Sequence, residues 1–399
     1  MPAGRGPVVR TMIPRTLFSD EHEIFRRAVR RFVETEIAPH HAQWERDGVV
    51  SRDAWRKAGQ AGLLCTAIPE HYGGVGGDFL HSVIVLEELS RVGATGPGFN
   101  LHSDIVAPYI LHYGTEEQKQ GWLPPMARGD VIGAIAMTEP SGGSDLQSIR
   151  TTAIRDGKEF VVNGQKVFIS NGQLCDLLVL AARSGPGEGA RGISLLLVEA
   201  DRPGFTRGRN LEKVGFKAQD TSELFFADLR VPLSNLLGQE GRGFAQLMSE
   251  LPQERLIQAV RAVAVCEAAL DWTVEHVRQR QTFGKPLAAH QNTQFKIAEM
   301  TAQTTVARAF VDRCIELHLR GQFDAVDAAI AKLTATELQG RVLDECVQLF
   351  GGYGYMWEYP IARAWADARH ARISGGSVEM MKYIIGRSVI GKVGEPPAR

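Results

Sequence analysis

From Ser19 onward the apolar positions fall at helical spacing. Phe25, Val29, Phe32 and Val33 share one face, Ser19 can cap, and Asp20 and Glu21 suit the positive first turn. Ser51 opens a second predicted helix, 79–92 a third, and Thr115-Glu116-Glu117-Gln118 is a capping box that opens a short fourth. No alternating strand occurs before about Asp130. Over 131–237 the period drops to two, with predicted strands at 160–162, 177–182, 193–199 and 224–231. Asp156-Gly157 and Asn163-Gly164 read as hairpin turns on either side of the first of these. After Gly243 long helical patterns return at 244–281, 292–319 and 325–349, stopped by Gly321 and Gly351-Gly352, and a last helix spans about 377–390. No internal repeat is visible. The order is helices, β domain, helices.

One stretch joins a strand to a candidate binding loop. Residues 133–145 read GAIAMTEPSGGSD: a short apolar run, then Pro140, Gly142 and Gly143 among the hydroxyls of Thr138, Ser141 and Ser144. Glycines let a backbone lie flat against a ligand, and their N–H groups bind anion oxygens. An ordinary strand and turn has the same pattern, so the stretch alone leaves both readings open.

Composition narrows the class. A chain of 399 residues with 44% hydrophobic and 23% charged positions is globular and long enough for two or three domains. The expected division is a disordered arm over 1–18, an N-terminal helical domain over 19–130, a middle β domain over 131–237 and a C-terminal four-helix-bundle domain over 238–399. Lys plus Arg number 45 against 46 Asp plus Glu, which argues against nucleic acid or an anionic membrane as partner. No apolar run approaches the ~18 residues a membrane span needs. Cys65, Cys175, Cys266, Cys314 and Cys346 form no CxxC pair and read as buried thiols of a reducing compartment; no metal site is expected. Arg5, Arg10 and Arg15 precede any acid, as in a transit peptide, but Pro2, Pro7 and Pro14 and the lack of an amphipathic stripe favour an arm on a cytoplasmic protein.

Four segments carry a family resemblance. Thr138 to Asp145, TEPSGGSD, resembles the TEPxxGSD signature of the acyl-CoA dehydrogenases. Phe168-Ile169-Ser170-Asn171-Gly172 resembles that family's second flavin segment, Arg280-Gln281-Thr282-Phe283-Gly284 its RxxFG segment, and Gln348-Leu349-Phe350-Gly351-Gly352 its QxxGG turn. They stand in the family's order and spacing, and the similarity runs from about Ser19 to about Ile390. LPQERL, YMWEYP and GGSVEMMK are most like the long-chain members. The resemblance implies an α+β fold of N-terminal helical domain, middle β domain and C-terminal helical bundle. It also implies FAD, oxidation of an acyl-CoA to the trans-2-enoyl-CoA as in fatty acid β-oxidation, and electron-transfer flavoprotein as acceptor.

That reaction sets three requirements. The thioester oxygen must receive hydrogen bonds, a carboxylate must reach the α proton, and the flavin must stack against the chain to take the β hydrogen as hydride. Many family members carry the carboxylate in a Y-E-G-T segment before the last helix. Here the matching segment is Ile373-Ser374-Gly375-Gly376-Ser377, and Gly375 stands in the glutamate's place. A minority, including the long-chain and isovaleryl members, carry it on the long helix that opens the last domain, and Glu254 of Leu251-Pro252-Gln253-Glu254-Arg255-Leu256 matches that position. Glu254 is the expected base, and the Gly375 N–H the expected oxyanion donor. Periodicity alone reads Glu254 as a solvated residue beside Gln258 and Arg261. Pro252 is expected to kink or restart the helix, which would place Glu254 near a helix N-terminus.

The resemblance further implies cofactor contacts from Ile135, Ala136, Met137, Thr138 and Ser144, and from Phe168, Ile169 and Ser170, where the family often has Trp and Thr. It carries Arg280, Phe283 and Gln291 to the pyrophosphate and adenosine half, and Gln348, Leu349, Gly351 and Gly352 to the cofactor of a neighbouring subunit. Ser377 and Glu379 stand near the cofactor. Ser144, Pro252, Gln253, Arg255, Gly375 and Gly376 are the expected substrate contacts. Gly96-Pro97-Gly98-Phe99 resembles the loop at the deep end of the acyl cavity, where small residues would leave room for a long or branched chain. A homo-oligomer, a dimer of dimers, is implied. The alternatives are an enzyme for a sterol, terpenoid or polyketide CoA ester, and an acyl-CoA oxidase, which is generally longer. A non-enzymatic nucleic-acid-binding relative is disfavoured by the balanced charge.

Overall fold

The computed structural model describes residues 13–185, 187 and 189–391. In chain order the helices α1 (Asp20–Phe32), α2 (Ala38–Asp47), α3 (Arg52–Gln60), α4 (Phe79–Arg91), α5 (Ala107–Tyr113) and α6 (Glu116–Ala127) come first. Strands β1 (Gly133–Ala136), β2 (Thr152–Asp156), β3 (Glu159–Ser170), β4 (Leu177–Arg183), β5 (Ile193–Glu199), β6 (Phe205–Asn210), β7 (Thr221–Pro232) and β8 (Leu236–Leu237) follow. Helix α7 (Gly243–Gln279), the small hairpin β9 (Gln281–Thr282) and β10 (Lys285–Pro286), and helices α8 (Gln291–Leu319), α9 (Ala325–Phe350), α10 (Pro360–Ala371) and α11 (Val378–Ile390) complete the described chain. This is the α+β order expected.

Two compact units hold these elements. The β-containing unit comprises Phe25–Val85 and Ala94–Leu251; the helical unit comprises Met1–Ile24, Leu86–Gly93 and Pro252–Arg399. In the first, the strands form one sheet in the order β6-β7-β3-β2-β4-β5-β8, with β1 parallel to β4. β4 and β5 are buried along nearly their whole length because both are largely apolar, whereas β2 is exposed over its last three residues and β3 alternates in part. Asp156-Gly157 turns the β2–β3 hairpin as expected. Asn163-Gly164 does not turn: it lies inside β3 as a bulge against β7, because Gly164 takes φ +150 where an added Cβ would strike Thr151.

The start of β1 is clamped from both sides. The Gly133 N–H donates to His102 Nδ1 at 3.0 Å, and Asn171 Nδ2 donates to the Gly133 carbonyl at 3.1 Å. His102 Nε2 faces the Met126 carbonyl at 3.0 Å, so the proton sits on Nε2 and leaves Nδ1 free to accept. Burial pushes the His102 pKa down to about 4, which keeps the ring neutral. His102 lies in a π-helical turn, Leu101–Val106, which like the turn Val33–Ile37 is not revealed by 3.6-residue periodicity.

In the helical unit, Arg308 is buried among Glu87, Glu267 and Asp312, and Arg15 pairs with Glu87 and Asp312 at 2.9 and 2.7 Å. The expected disordered arm is thereby corrected at its end: Arg15 ties residues 13–18 to a buried charge cluster, while residues 1–12 lie outside the described residues. Asp324 caps α9 through the Val326 and Asp327 amides. No described helix is long and apolar enough to cross a membrane.

Candidate active site

In the helical unit, three elements converge on the turn 374–377. Helix α7 runs unbroken through Pro252, so the expected restart, and with it a helix N-terminus at Glu254, is absent. Within the helix the proline leaves the Met248 carbonyl without its usual amide donor. Glu254 is 7% exposed and Arg255 6%, so the solvated face read from periodicity is overturned. The reason is that this part of α7 is covered on several faces: Leu256, Ile257, Ala259 and Val260 are buried as well.

Arg255 Nε donates to the Gly375 carbonyl at 3.4 Å. A Cβ built on Gly375 would lie 3.9 Å from Gln258 Cγ and 3.8 Å from Lys332 Cε of α9. Residues 254 and 258 are one helical turn apart and share a face, so Glu254 and Gly375 belong to one neighbourhood. Lys332 is fully buried, and its Nζ donates to the Gly376 carbonyl at 2.5 Å. Burial pushes its pKa down to about 8; Arg255 adds to that, and Glu379 opposes it. Gly375 and Gly376 have φ +63 and +94, which only glycine adopts without strain. Ser377 caps α11 by accepting from the Met380 N–H, and Glu379 is exposed in the first turn. One turn before Glu254, the Glu250 carboxylate is held by His112 Nδ1 at 2.9 Å. Pro252 and Gln253 are half-buried, and Gln253 Oε1 lies 3.0 Å from His318 Nε2.

In the β-containing unit, β1 ends at Ala136 and releases Met137 and Thr138. The Met137 carbonyl accepts from Lys166 Nζ at 3.0 Å, and the Thr138 carbonyl from the Val167 N–H at 3.0 Å. Lys166 also pairs with Glu139 at 2.9 Å, both buried, and Glu139 accepts from the Arg150 and Thr151 amides. Burial pushes Lys166 down to about 8. Burial pulls the Glu139 carboxyl upward, but Lys166 and the amides outweigh it and hold it below its usual value. With Lys166 turned inward, the chain bulges and Phe168 is turned out, 66% exposed at φ +61. A bulky aromatic at positive φ carries local backbone strain, and this one is left uncovered. Ser170 and Ile135 are half-buried, and Ser144 is exposed on the loop. The side chains of Ala136 and Ile169 are taken up by the sheet core, so these residues can offer a ligand only main-chain atoms.

A second group in the helical unit lines a cleft of about 500 Å³: Arg280, Gln348, Leu349, Gly351 and Gly352, with Tyr353 under the Arg280 guanidinium at 5.5 Å. The Leu349 side chain packs into the core, so it too has only backbone to offer. Phe283, at the tip of the β9–β10 hairpin, is 98% exposed at φ +48, and Gln291 is exposed at the start of α8. These exposed rings, the cation and the glycine turn suit a flat ring joined to an anionic pyrophosphate. His102, Lys166, Glu139 and Lys332, which set the backbone of both regions, were not singled out from sequence. The buried lysines give no periodic signal, and the acid of TEPSGGSD reads as a loop residue.

The helical–β–helical order, with a glycine-rich strand end beside an outturned aromatic in its β-containing unit, is that of a class of flavin-dependent oxidoreductases. Family models for the N-terminal, middle and C-terminal domains of acyl-CoA dehydrogenase match residues 19–130, 134–229 and 241–390. The mouse mitochondrial long-chain specific acyl-CoA dehydrogenase is 52% identical over 378 residues, 94% of this chain and 88% of the relative. The crystal structure of an acyl-CoA dehydrogenase from Geobacillus kaustophilus is 50% identical with a TM-score of 0.93, covering 94% of this chain and all of that one. An acyl-CoA dehydrogenase from Bacillus anthracis, solved with FAD, is 30% identical with a TM-score of 0.88 over 95% of this chain and 68% of that one. The chain belongs to the acyl-CoA dehydrogenase family, and its cofactor is FAD.

Proposed function

We propose that this enzyme dehydrogenates long-chain or branched acyl-CoA thioesters, with Glu254 as the base and the Gly375 N–H as the donor to the thioester oxygen. The observation that carries the reading is that Arg255 and Gln258, one residue and one helical turn after buried Glu254, both meet the Gly375–Gly376 turn. FAD supplies the acceptor for the hydride that leaves the β carbon. Glu254 takes the α proton on a carboxylate oxygen, and Gly375 N–H and Arg255 oppose the negative charge that grows on the thioester oxygen. Arg255, Gly376 and Ser144, with Pro252 and Gln253, serve the CoA and thioester side.

In the β-containing unit, Met137, Thr138, Phe168 and Ser170 would meet FAD by side chain and backbone, and Ile135, Ala136 and Ile169 by backbone. In the helical unit, Arg280, Phe283, Gln291, Gln348, Leu349, Gly351, Gly352, Ser377 and Glu379 would do so. A fully exposed Phe283 supports assembly of copies, and a homotetramer is the proposed state. The five buried free thiols support a reducing, cytoplasmic setting, and electron-transfer flavoprotein is the proposed acceptor. The three-domain division at 19–130, 131–237 and 238–399 is kept as the functional one. The glycines of the 96–99 loop carry less weight than the sequence suggested. A Cβ on Gly96 would meet Ala218 Cβ at 2.5 Å and one on Gly98 would meet Asn171 Oδ1 at 2.3 Å, so close approach of chains already demands glycine there.

The test is an acyl-CoA panel, straight and branched, with a dye acceptor and product analysis. Highest kcat/KM on long or branched chains with trans-2-enoyl-CoA as product is expected. A peak at four carbons, or no turnover on any member, contradicts the reading.

A further inference from the structure

The turn that would hold the thioester oxygen is made of two consecutive glycines, both at positive φ. Two glycines in tandem are the softest backbone a chain can offer, so a hydrogen-bond donor placed there has no fixed direction of its own. Two buried cations take over that task. Arg255 Nε reaches the Gly375 carbonyl at 3.4 Å, and Lys332 Nζ reaches the Gly376 carbonyl at 2.5 Å. The Lys332 stem also runs beside the first glycine, with Cε 3.8 Å from where a Gly375 Cβ would stand.

Lys332 is unusual in what it faces. Among the described residues, Lys166 and Lys332 are the buried lysines. Lys166 touches a carboxylate, Glu139, whereas the hydrogen bond of Lys332 goes to a neutral carbonyl. A buried ammonium opposite a carbonyl costs more than a neutral donor of the same reach would. Glu379 offsets part of that cost from a distance, and the donor itself is spent on the backbone of the glycine turn.

We propose that Lys332 is a positioning residue for the dehydrogenation: it locks the Gly375–Gly376 turn so that the Gly375 N–H points at the thioester oxygen, and its charge, with that of Arg255, favours the enolate-like state. Lys332 itself touches neither substrate nor reacting atoms. The assignment rests on the reading of Gly375 as the oxyanion donor and deepens it. The proton still passes from the α carbon to Glu254, and Lys332 exchanges none.

The test uses the FAD-loaded enzyme with Lys332→Met, which removes donor and charge, and Lys332→Gln, which keeps a donor without charge. Turnover per bound flavin is measured, and each enzyme is titrated with a 3-ketoacyl-CoA, whose acidic α C–H yields a bound enolate visible as long-wavelength absorbance against the oxidised flavin. Lys332→Met is expected to lower kcat about a hundredfold with KM nearly unchanged, the size of losing one oxyanion donor. Its enolate midpoint should rise by about one pH unit, with Lys332→Gln between it and wild type in both readouts. Either folded variant with wild-type kcat per flavin and wild-type midpoint overturns the proposal, even if it melts earlier or binds FAD less tightly. Glu254→Gln run beside them separates the failures. If it stays active, the underlying reading fails; if it is inactive while both Lys332 variants are unaffected, the Lys332 assignment alone fails.

Discussion

At the scale of the residue, charges are buried where the chemistry is read. Lys166 and Glu139 sit 2.9 Å apart, both out of water, and hold the backbone from Met137 to Thr151. Removing one partner strands the other, so Lys166→Met should cost ~3–5 kcal/mol in urea unfolding and release FAD on gel filtration. Adding Glu139→Gln should recover part of the loss. Asp104 behaves differently: burial pushes its pKa up to about 6, while Ser82 and Asn100 hydrogen bonds pull against that. The native state therefore holds its proton at pH values where the unfolded chain has released it. Stability contributed by this group is full below the unfolded value near 3.8 and falls as pH rises through about 6. A Tm scan from pH 4 to 7 should show this decline in wild type and a flatter profile in Asp104→Asn. Glu254 shows why such residues are hard to read from sequence. Polar spacing on one helix tells which side is less apolar, and only the neighbouring elements decide whether that side meets water.

At the scale of the element, most of the helix and strand order was legible because the segments are long and strongly periodic. The capping box at Thr115 and Gln118 is present as expected, and β5 falls on its expected residues. What escaped had a physical cause. β6, Phe-Thr-Arg-Gly-Arg-Asn, is an edge strand with little apolar content, and α10 opens on Tyr359-Pro360 with no side-chain cap to announce it. The bulge at Gly164 has the sequence of a hairpin, and only pairing across β7 distinguishes them. The candidate site was legible chiefly through motif resemblance; periodicity alone would have left Glu254 on the surface. Pro252 inside α7 offers a test at this scale. Pro252→Ala restores an amide to the helix and should stabilise the protein by ~1–3 kcal/mol, and it should lower kcat because the ring stands two residues before Glu254. Thermal melting and turnover on one preparation check both signs.

At the scale of the whole molecule, exposed apolar surface points outward from the helical unit. Phe283 is 98% exposed, Phe295 56% and Val306 70%, and the groove between α7 and α8 is lined by Val277, Ile297 and Ala298. Sedimentation should give a species larger than one chain, and Phe283→Ala should weaken FAD retention on dilution without changing the helical content. A monomer with undiminished flavin would contradict the proposed assembly. The proposed chemistry turns on where the α proton goes. The most direct measurement is turnover of Glu254→Gln with a dye acceptor, scored per bound flavin. The expected result is near-complete loss of kcat with FAD content unchanged. Activity within about tenfold of wild type, only ~1.4 kcal/mol of barrier, would contradict the central claim.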